Sequence, residues 1–152
     1  MQIKKINRIG VAVKDLNKAI DFLVNVLGAK RGVTYRRDES ENYQLLQDEI
    51  PAEGLKSYYV TLGGLQIELM SPTSEEGNIG KFIQKRGEGL MTISFQVEDL
   101  DGAIKELEGK GVRVIGKMLD HHTRIGDQEV HTPYGFIHPK DFFGLMVELA
   151  IR

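Results

Sequence analysis

The chain has 152 residues, of which 41% are hydrophobic and 28% charged, and its formal net charge is −2. This length predicts one domain, or two small halves that share a core. The absence of cysteine excludes disulfide scaffolds, thiolate metal sites and cysteine nucleophiles. No apolar run approaches the ~20 residues of a membrane span. With 20 basic and 22 acidic residues, the chain has no net positive charge that would attract nucleic acid. We therefore expect a cytoplasmic protein with no membrane and no nucleic-acid partner.

An internal repeat organises the sequence. Residues 8–23 (RIGVAVKDLNKAIDFL) match residues 92–107 (TISFQVEDLDGAIKEL) at seven of sixteen positions. A second pair of segments, GLQIEL at 64–69 and GLMVEL at 144–149, shares four of six residues in the same order. Two matches in the same order indicate a duplicated module. We place the modules at residues 1–72 and 88–152 within a single domain that spans 1–152.

The first module opens with a strand and a helix. Alternation of Ile9, Val11 and Val13 with polar or small residues predicts the strand. Asp15 is placed to cap the helix that follows, and Gly28 to end it. One face of this helix carries the apolar residues Leu16, Ala19, Ile20, Leu23 and Leu27.

Three β segments complete the first module, at residues 31–37, 56–62 and 65–71. The polar stretch 38–54, which contains Pro51, predicts a loop and is a candidate lid. A short helix over residues 79–86 is expected to pack through Ile79, Phe82 and Ile83.

The second module repeats this order. Asp99 is expected to cap its helix, whose apolar face carries Leu100, Ala103, Ile104 and Leu107. Strands follow at residues 112–115, 129–137 and 144–151, and the polar stretch 120–128 predicts a loop.

The alternation also assigns a second face to the sheet, away from the helices. This face carries Arg8 and Glu68 in the first module, and Thr92 and Glu148 in the second. One of Ser57 or Tyr59 is expected to join it. A sheet face with polar and charged residues is either exposed to water or lines a cleft.

The sequence resembles the vicinal oxygen chelate superfamily, also called the glyoxalase/bleomycin-resistance/dioxygenase group, and within it the methylmalonyl-CoA epimerases. The resemblance covers nearly the whole chain and is carried by residues 6–13, 15–28, 68–72, 87–89, 136–140 and 144–149. The run Phe-Ile-His-Pro-Lys at 136–140, followed by GLMVEL, is fairly specific for the epimerase-like branch. The resemblance implies an α+β fold in which two βαβββ modules form a cup-shaped half-barrel, and it implies a homodimer.

In that family the cup normally holds a divalent metal. The resemblance implies four ligands: a His in the first strand, a Gln or Glu in the fourth, a His in the fifth and a Glu in the eighth. Carried over by position, these fall on Arg8, Glu68, Thr92 and Glu148, so both histidines are replaced. Arg has no acceptor and Thr is a weak ligand. We therefore expect no cofactor, with weak divalent binding through Glu68 and Glu148 as the remaining option.

Arg8 offers a physical alternative to the metal. A guanidinium between Glu68 and Glu148 would neutralise the same charge, and it could stabilise a substrate carboxylate or an enolate. The competing interpretation is a buried structural ion network without chemistry. In the epimerases a glutamate on the third strand also moves a proton, but residues 56–58 offer no carboxylate here.

Further candidate substrate-binding residues are Thr92, Ser94, Tyr59, His138 and Lys140. By resemblance, His138 and Lys140 lie near the mouth of the cup. A displaced metal site built from His121, His122, His131 and His138 is disfavoured, because neighbours on a strand point to opposite faces.

Two classes of function follow. The first is a diverged enzyme, an epimerase-like isomerase or a lyase, that acts on a small acyl, oxo-acid or CoA-thioester substrate. In it Glu148 or Glu68 would be the general base, and Arg8 would replace the metal. The second is a non-catalytic, metal-free binding protein of the resistance or sequestration type. Either would take a small anionic or acyl ligand.

Overall fold

The computed structural model describes residues 1–32, 43–48, 55–125 and 127–151, with the backbone alone for residues 43–48, 118 and 121–125. The described chain divides into two compact units. The N-terminal unit comprises residues 8–32 and 55–91, and the C-terminal unit comprises residues 1–7, 43–48 and 92–151. The modules at 1–72 and 88–152 are defined by the internal repeat in the sequence, and they remain a prediction.

The elements follow one another in an α+β order. In chain order they are β1 (Ile3–Ala12), α1 (Leu16–Asp21), β2 (Lys30–Gly32), β3 (Tyr43–Asp48), β4 (Leu55–Leu62), β5 (Leu65–Pro72), α2 (Asn78–Arg86), β6 (Gly89–Val97), α3 (Leu100–Gly109), β7 (Val114–Ile125), β8 (Gln128–Ile137) and β9 (Met146–Ala150). A π-helical turn, Phe22–Val26, extends α1, and a 3₁₀ turn, Pro139–Asp141, separates β8 from β9. None of the described helices is long and apolar enough to cross a membrane.

The N-terminal unit has the strand order β2-β4-β5-β1. β1 runs parallel to β5, while β4 pairs antiparallel with both β5 and β2. Apolar residues of α1 and of the strands form its main core; the buried members are Ala29, Val60, Ile67 and Leu69. The strand faces follow the predicted alternation, because Ile9, Val11 and Val13 pack in this core against α1.

Helix α1 begins and ends as predicted, but its apolar face does not extend as far. The Asp15 carboxylate accepts a hydrogen bond from the Lys18 N–H at 3.0 Å. Gly28 has φ +72°, and the Ala29 N–H donates to the Leu23 carbonyl at 2.8 Å. The prediction that Leu27 faces the core is wrong, since its side chain is 48% exposed. The wider π turn changes the angular spacing of the side chains, and the core contact falls on Val24 instead.

The C-terminal unit has the strand order β6-β9-β8-β7-β3. β6 runs parallel to β9, and the remaining pairs are antiparallel. The apolar face of α3 packs on this sheet through the predicted residues Leu100, Ala103, Ile104 and Leu107. The Asp99 carboxylate caps α3 and accepts from the Gly102 N–H at 3.0 Å.

Two loop predictions are corrected. The stretch 120–128 contains the second half of β7, which continues to Ile125, and residues 43–48 of the predicted loop 38–54 form β3. Both segments are polar, but β7 is hydrogen-bonded to β8 on one side and to β3 on the other. Backbone pairing therefore defines these strands without an apolar alternation. The rest of the predicted loop, the candidate lid included, lies outside the described residues, as do residues 33–37 of the strand predicted at 31–37.

Replacing the α3 cap tests this fold. The variant Asp99→Ala leaves the Gly102 N–H without its side-chain acceptor, so we expect it to lower the free energy of unfolding by about 1 kcal/mol. Urea denaturation of both proteins measures this difference. The control Asp101→Ala removes an exposed pair with Lys105 and a carboxylate from the first turn of α3, but it leaves the Gly102 N–H capped, and we expect a smaller loss. Equal losses in the two variants would contradict the capping role.

Candidate functional site

In the N-terminal unit, strand register brings Arg8, Glu68 and Tyr59 to one face of the sheet. The parallel pairing of β1 with β5 sets Arg8 beside Gln66 and Gly10 beside Glu68. The antiparallel pairing of β4 with β5 sets Tyr59 opposite Glu68. Paired residues point to the same side of a sheet. The three side chains therefore share the face turned away from the α1 core.

The centre of this face is a buried ion pair. Arg8 Nε lies 3.1 Å from Glu68 Oε2. Only 9% of Arg8 and 8% of Glu68 is exposed, and Tyr59 is also buried. Removing both charges from water costs several kcal/mol per ion, and close pairing offsets part of this cost. The pair thus places a permanent cation beside a carboxylate in a site largely shielded from water.

Farther along the same face, the prediction of a wet surface or a cleft is wrong. Ala12 and Met70 continue the face from Arg8 and Glu68, but they are buried beneath α2. Ile79 and Ile83 of α2 pack against them, together with Met91. This end of the face is core, because an apolar helix stripe covers it.

In the C-terminal unit, the same kind of register sets Ser94 beside Glu148. β6 and β9 are parallel here, and the Ser94 hydroxyl donates to Glu148 Oε1 at 2.7 Å. The exposed fractions of the two residues are 2% and 3%. Thr92 lies two positions before Ser94, on the same face, and is half-buried. The buried carboxylate therefore has a neutral hydroxyl donor in its own unit.

Strand β8 contributes residues that the sequence interpretation did not assign to the site. Phe136 pairs with Glu148, so Thr132, Tyr134 and Phe136 share its face by alternation. Thr132 and Tyr134 are almost fully buried, and the Tyr134 and Phe136 rings meet edge to face with centroids 5.5 Å apart. The alternation of β8 could have identified these residues once its pairing with β9 was known.

His138 and Lys140 lie on the turn between β8 and β9. The His138 Nδ1 accepts a hydrogen bond from the Lys140 N–H at 3.1 Å and so caps the 3₁₀ turn. His138 is half-buried, whereas the Lys140 side chain is exposed. We call residues 138–145 the His138 turn. It leads directly into β9, which carries Glu148.

An ion pair with Arg113, which is not part of the His138 turn, holds the turn in place. Both the Arg113 backbone N–H and its Nε–H donate to Asp141 Oδ2, at 2.8 and 3.0 Å, and Arg113 Nη2 contacts Asp141 Oδ1. The hydrogen bonds from the Arg113 side chain, followed by that from its backbone N–H, hold the pKa of the Asp141 carboxyl well below its usual range.

Two adjacent phenylalanines of the turn differ in burial, although their rings meet edge to face with centroids 5.7 Å apart. Phe142 packs against the core beneath α3, whereas Phe143 is 98% exposed. Phe143 has φ +52°, a left-handed conformation that is uncommon for a bulky side chain. Gly144, which follows, has φ +86°.

The residues at the implied ligand positions do not fit a divalent metal. Arg8 has no lone pair to donate, and its guanidinium occupies one oxygen of Glu68. Within the side chains that the structure describes, no three His, Asp or Glu residues converge as ligands. His131 lies on β8 with its Nδ1 2.6 Å from Asp120 Oδ2, and the predictions for the side chains of His121 and His122 lie outside the described part.

Comparison with known proteins identifies the family. Residues 7–132 match the Glyoxalase/Bleomycin resistance protein/Dioxygenase superfamily, and the chain belongs to it. It is 34% identical to an ethylmalonyl-CoA/methylmalonyl-CoA epimerase of Cereibacter sphaeroides, with 97% of each chain covered. The predicted family and its α+β fold are therefore confirmed.

Solved structures agree with this assignment. Methylmalonyl-CoA epimerase from Mycobacterium tuberculosis aligns with a TM-score of 0.70 at 30% identity, over 97% of this chain and 87% of that one. A methylmalonyl-CoA epimerase in complex with methylmalonyl-CoA and NH4+ aligns with a TM-score of 0.66 at 25% identity, over 98% and 94%.

The depressed pKa of Asp141 predicts how stability depends on pH. Because the folded pKa lies below the ordinary value of about 4, the carboxylate stabilises the native state above that value, and this stability is lost as pH falls through the folded pKa. The difference in unfolding free energy between the native sequence and Asp141→Asn should be largest near neutral pH and should shrink in acid. Denaturant titrations at a series of pH values measure it. A difference independent of pH would contradict the prediction, and Glu76→Gln, at an exposed carboxylate, is the control.

Proposed function

We propose that this protein is an epimerase-like enzyme acting on a CoA thioester of a small branched acid, by carboxylate-mediated proton transfer. The observation that carries the proposal is the buried Arg8–Glu68 pair, a fixed cation beside a carboxylate on a shielded sheet face. Similar proteins over nearly the whole chain are epimerases of ethylmalonyl-CoA and methylmalonyl-CoA, which supports the substrate class. The homodimer and the cytoplasmic location stay predictions.

Arg8 is assigned the electrostatic part of the reaction. Removal of the proton beside a thioester places negative charge on the thioester oxygen, and a buried guanidinium can stabilise this enolate. The group stays protonated at any ordinary pH, and its planar N–H donors suit carboxylate oxygens. In this proposal Arg8 replaces the cation that the first-strand histidine would help to bind, and Thr92 stands where the second histidine is expected.

Either Glu148 or Glu68 is assigned the role of general base. Epimerisation removes the α-proton and returns one to the opposite side of the same carbon, so the reaction needs proton-transfer groups rather than an oxidant. Glu68 is ion-paired with Arg8, and Glu148 is hydrogen-bonded to Ser94. Tyr59 and Ser94 lie beside these carboxylates in their own units and are assigned to substrate binding, as are Thr92, His138 and Lys140.

Isotope exchange tests the assignment. We expect the protein to exchange the α-proton of methylmalonyl-CoA with deuterium from D2O, observed by NMR. Glu148→Gln keeps an oxygen that can accept from Ser94 but removes the base, so exchange should fall about 10²- to 10⁴-fold. Arg8→Lys keeps the positive charge but loses the planar N–H donors of the guanidinium. The exchange rate should therefore also fall while the protein remains folded.

The matched control is Glu76→Gln, which changes an exposed carboxylate and should leave the exchange rate unaltered. Thermal unfolding confirms that each variant is folded. If the native protein binds the CoA thioester but exchanges no proton, the binding-protein alternative replaces the enzyme.

Metal removal tests the role of Arg8 separately. Because the residues at the ligand positions do not fit a divalent cation, we expect EDTA to leave the exchange rate unchanged. Elemental analysis of protein prepared without a metal-affinity tag should find less than stoichiometric metal. Added Mg²⁺ or Mn²⁺ should produce little rise in Tm. Stoichiometric metal together with chelator sensitivity would contradict the assignment of Arg8.

A further inference from the structure

Phe143 is the most conspicuous side chain outside the two carboxylate sites. It is 98% exposed and adopts φ +52°, so the fold neither buries the ring nor gives it a relaxed backbone. The preceding Phe142 shows that an apolar ring in this turn can pack inward, since it contacts the core beneath α3. An exposed, strained aromatic residue on the turn that leads into the Glu148 strand points to a ligand contact.

The backbone that carries Phe143 is held on both sides. The Gly144 N–H donates to the Pro139 carbonyl at 2.7 Å, and the Leu145 N–H donates to the Phe142 carbonyl at 2.9 Å. The contacts of Asp141 with Arg113 fix the start of the same turn. The His138 turn therefore presents the ring from a fixed backbone, which lowers the entropy lost when a ligand binds it.

We infer that Phe143 and Lys140 bind the adenine nucleotide portion of the CoA thioester. The assignment of CoA rests on the proposed function. The flat ring of Phe143 offers a surface on which a purine can stack, and the exposed ammonium of Lys140, three residues earlier, suits a phosphate group. CoA joins these two chemical groups to its thioester through a long flexible arm. The same turn leads into β9, which carries Glu148.

The surroundings of the ring favour a small ligand over a protein partner. Its nearest exposed neighbours in the sequence are the charged residues Lys140 and Asp141, while Phe142 and Leu145 are half-buried. A protein interface normally has a core built from several buried apolar or aromatic residues. The Phe143 ring meets the Phe142 ring edge to face, with centroids 5.7 Å apart, and the ring lies in a turn that also carries an exposed charge, Lys140. This combination matches a nucleotide, which joins an aromatic base to phosphates.

A single tryptophan tests the inference without any turnover. The chain contains no Trp, so Phe143→Trp introduces the only one, at a position where an aromatic ring is retained. Titration with adenosine 3′,5′-bisphosphate or CoA should quench its fluorescence saturably through stacking. Pantetheine, which lacks the base and the phosphates, should not. The control Phe22→Trp places the reporter on another exposed phenylalanine, 53% exposed, and should show no saturable quenching.

Kinetics provide a second readout. Phe143→Ala should raise KM for methylmalonyl-CoA about five- to 150-fold, the range expected for one stacked base, with little change in kcat. The KM for the matching pantetheine thioester should not change. Lys140→Gln should weaken binding of the bisphosphate and reduce its dependence on salt.

The outcomes separate the two proposals. Saturable quenching without proton exchange would keep the nucleotide subsite and reject the epimerase function. Proton exchange without quenching in the Phe143→Trp variant, or equal quenching in the Phe22→Trp control, would reject the subsite. If the fluorescence of the Phe143→Trp variant changes with protein concentration alone, with a doubled mass in sedimentation, a second copy covers the ring, and this result would likewise overturn the inference.

Discussion

The constraint on which the site depends is the burial of two glutamates on sheet faces. A carboxylate removed from water must be paired or hydrogen-bonded, since its isolated burial costs several kcal/mol. Register places Gly10 beside Glu68 and Ser94 beside Glu148, at equivalent positions of the repeat. Gly10 has no side chain to offer, so in the N-terminal unit the donor comes from Arg8, two residues earlier on the same face. The two units thus place different donors beside equivalent carboxylates, the Arg8 cation beside Glu68 and the Ser94 hydroxyl beside Glu148.

The parts of the fold that were predictable are those in which one face is apolar. Alternation in β1 and β5, the stripe of α3, the stripe of α1 as far as Leu23 and both aspartate caps appear where the sequence places them. The second half of β7 and the whole of β3 could not be predicted, because these polar strands depend on pairing with segments distant in sequence. The π turn after α1 could not be predicted either, because the spacing of Leu23 and Leu27 is the same as in a regular helix.

The site was predictable as a set of positions but not as a set of contacts. Alternation alone puts Arg8 and Glu68 on one face, yet only the register of β1 on β5 brings the guanidinium to the carboxylate. The capping role of His138 depends on the 3₁₀ turn that follows it. The outward direction of Phe143 depends on how the His138 turn closes onto Pro139, so two consecutive phenylalanines give no sequence signal that one faces the core and the other solvent.

A guanidinium imposes a different selectivity from the divalent metal it would replace. It carries one charge instead of two, and its donors lie in a plane, so it favours ligands that present coplanar oxygens. Burial compensates for the smaller charge, because electrostatic interactions strengthen where water is excluded. Arg8 is already paired with Glu68, however, and together the two groups are neutral. A substrate anion must therefore compete with an internal carboxylate for the same cation. An uncharged acyl group gains little from that exchange, whereas a free carboxylate next to the thioester can take over part of the pairing and leave Glu68 able to accept a proton. On the proposed function, the ion pair itself selects substrates that carry a second acidic group.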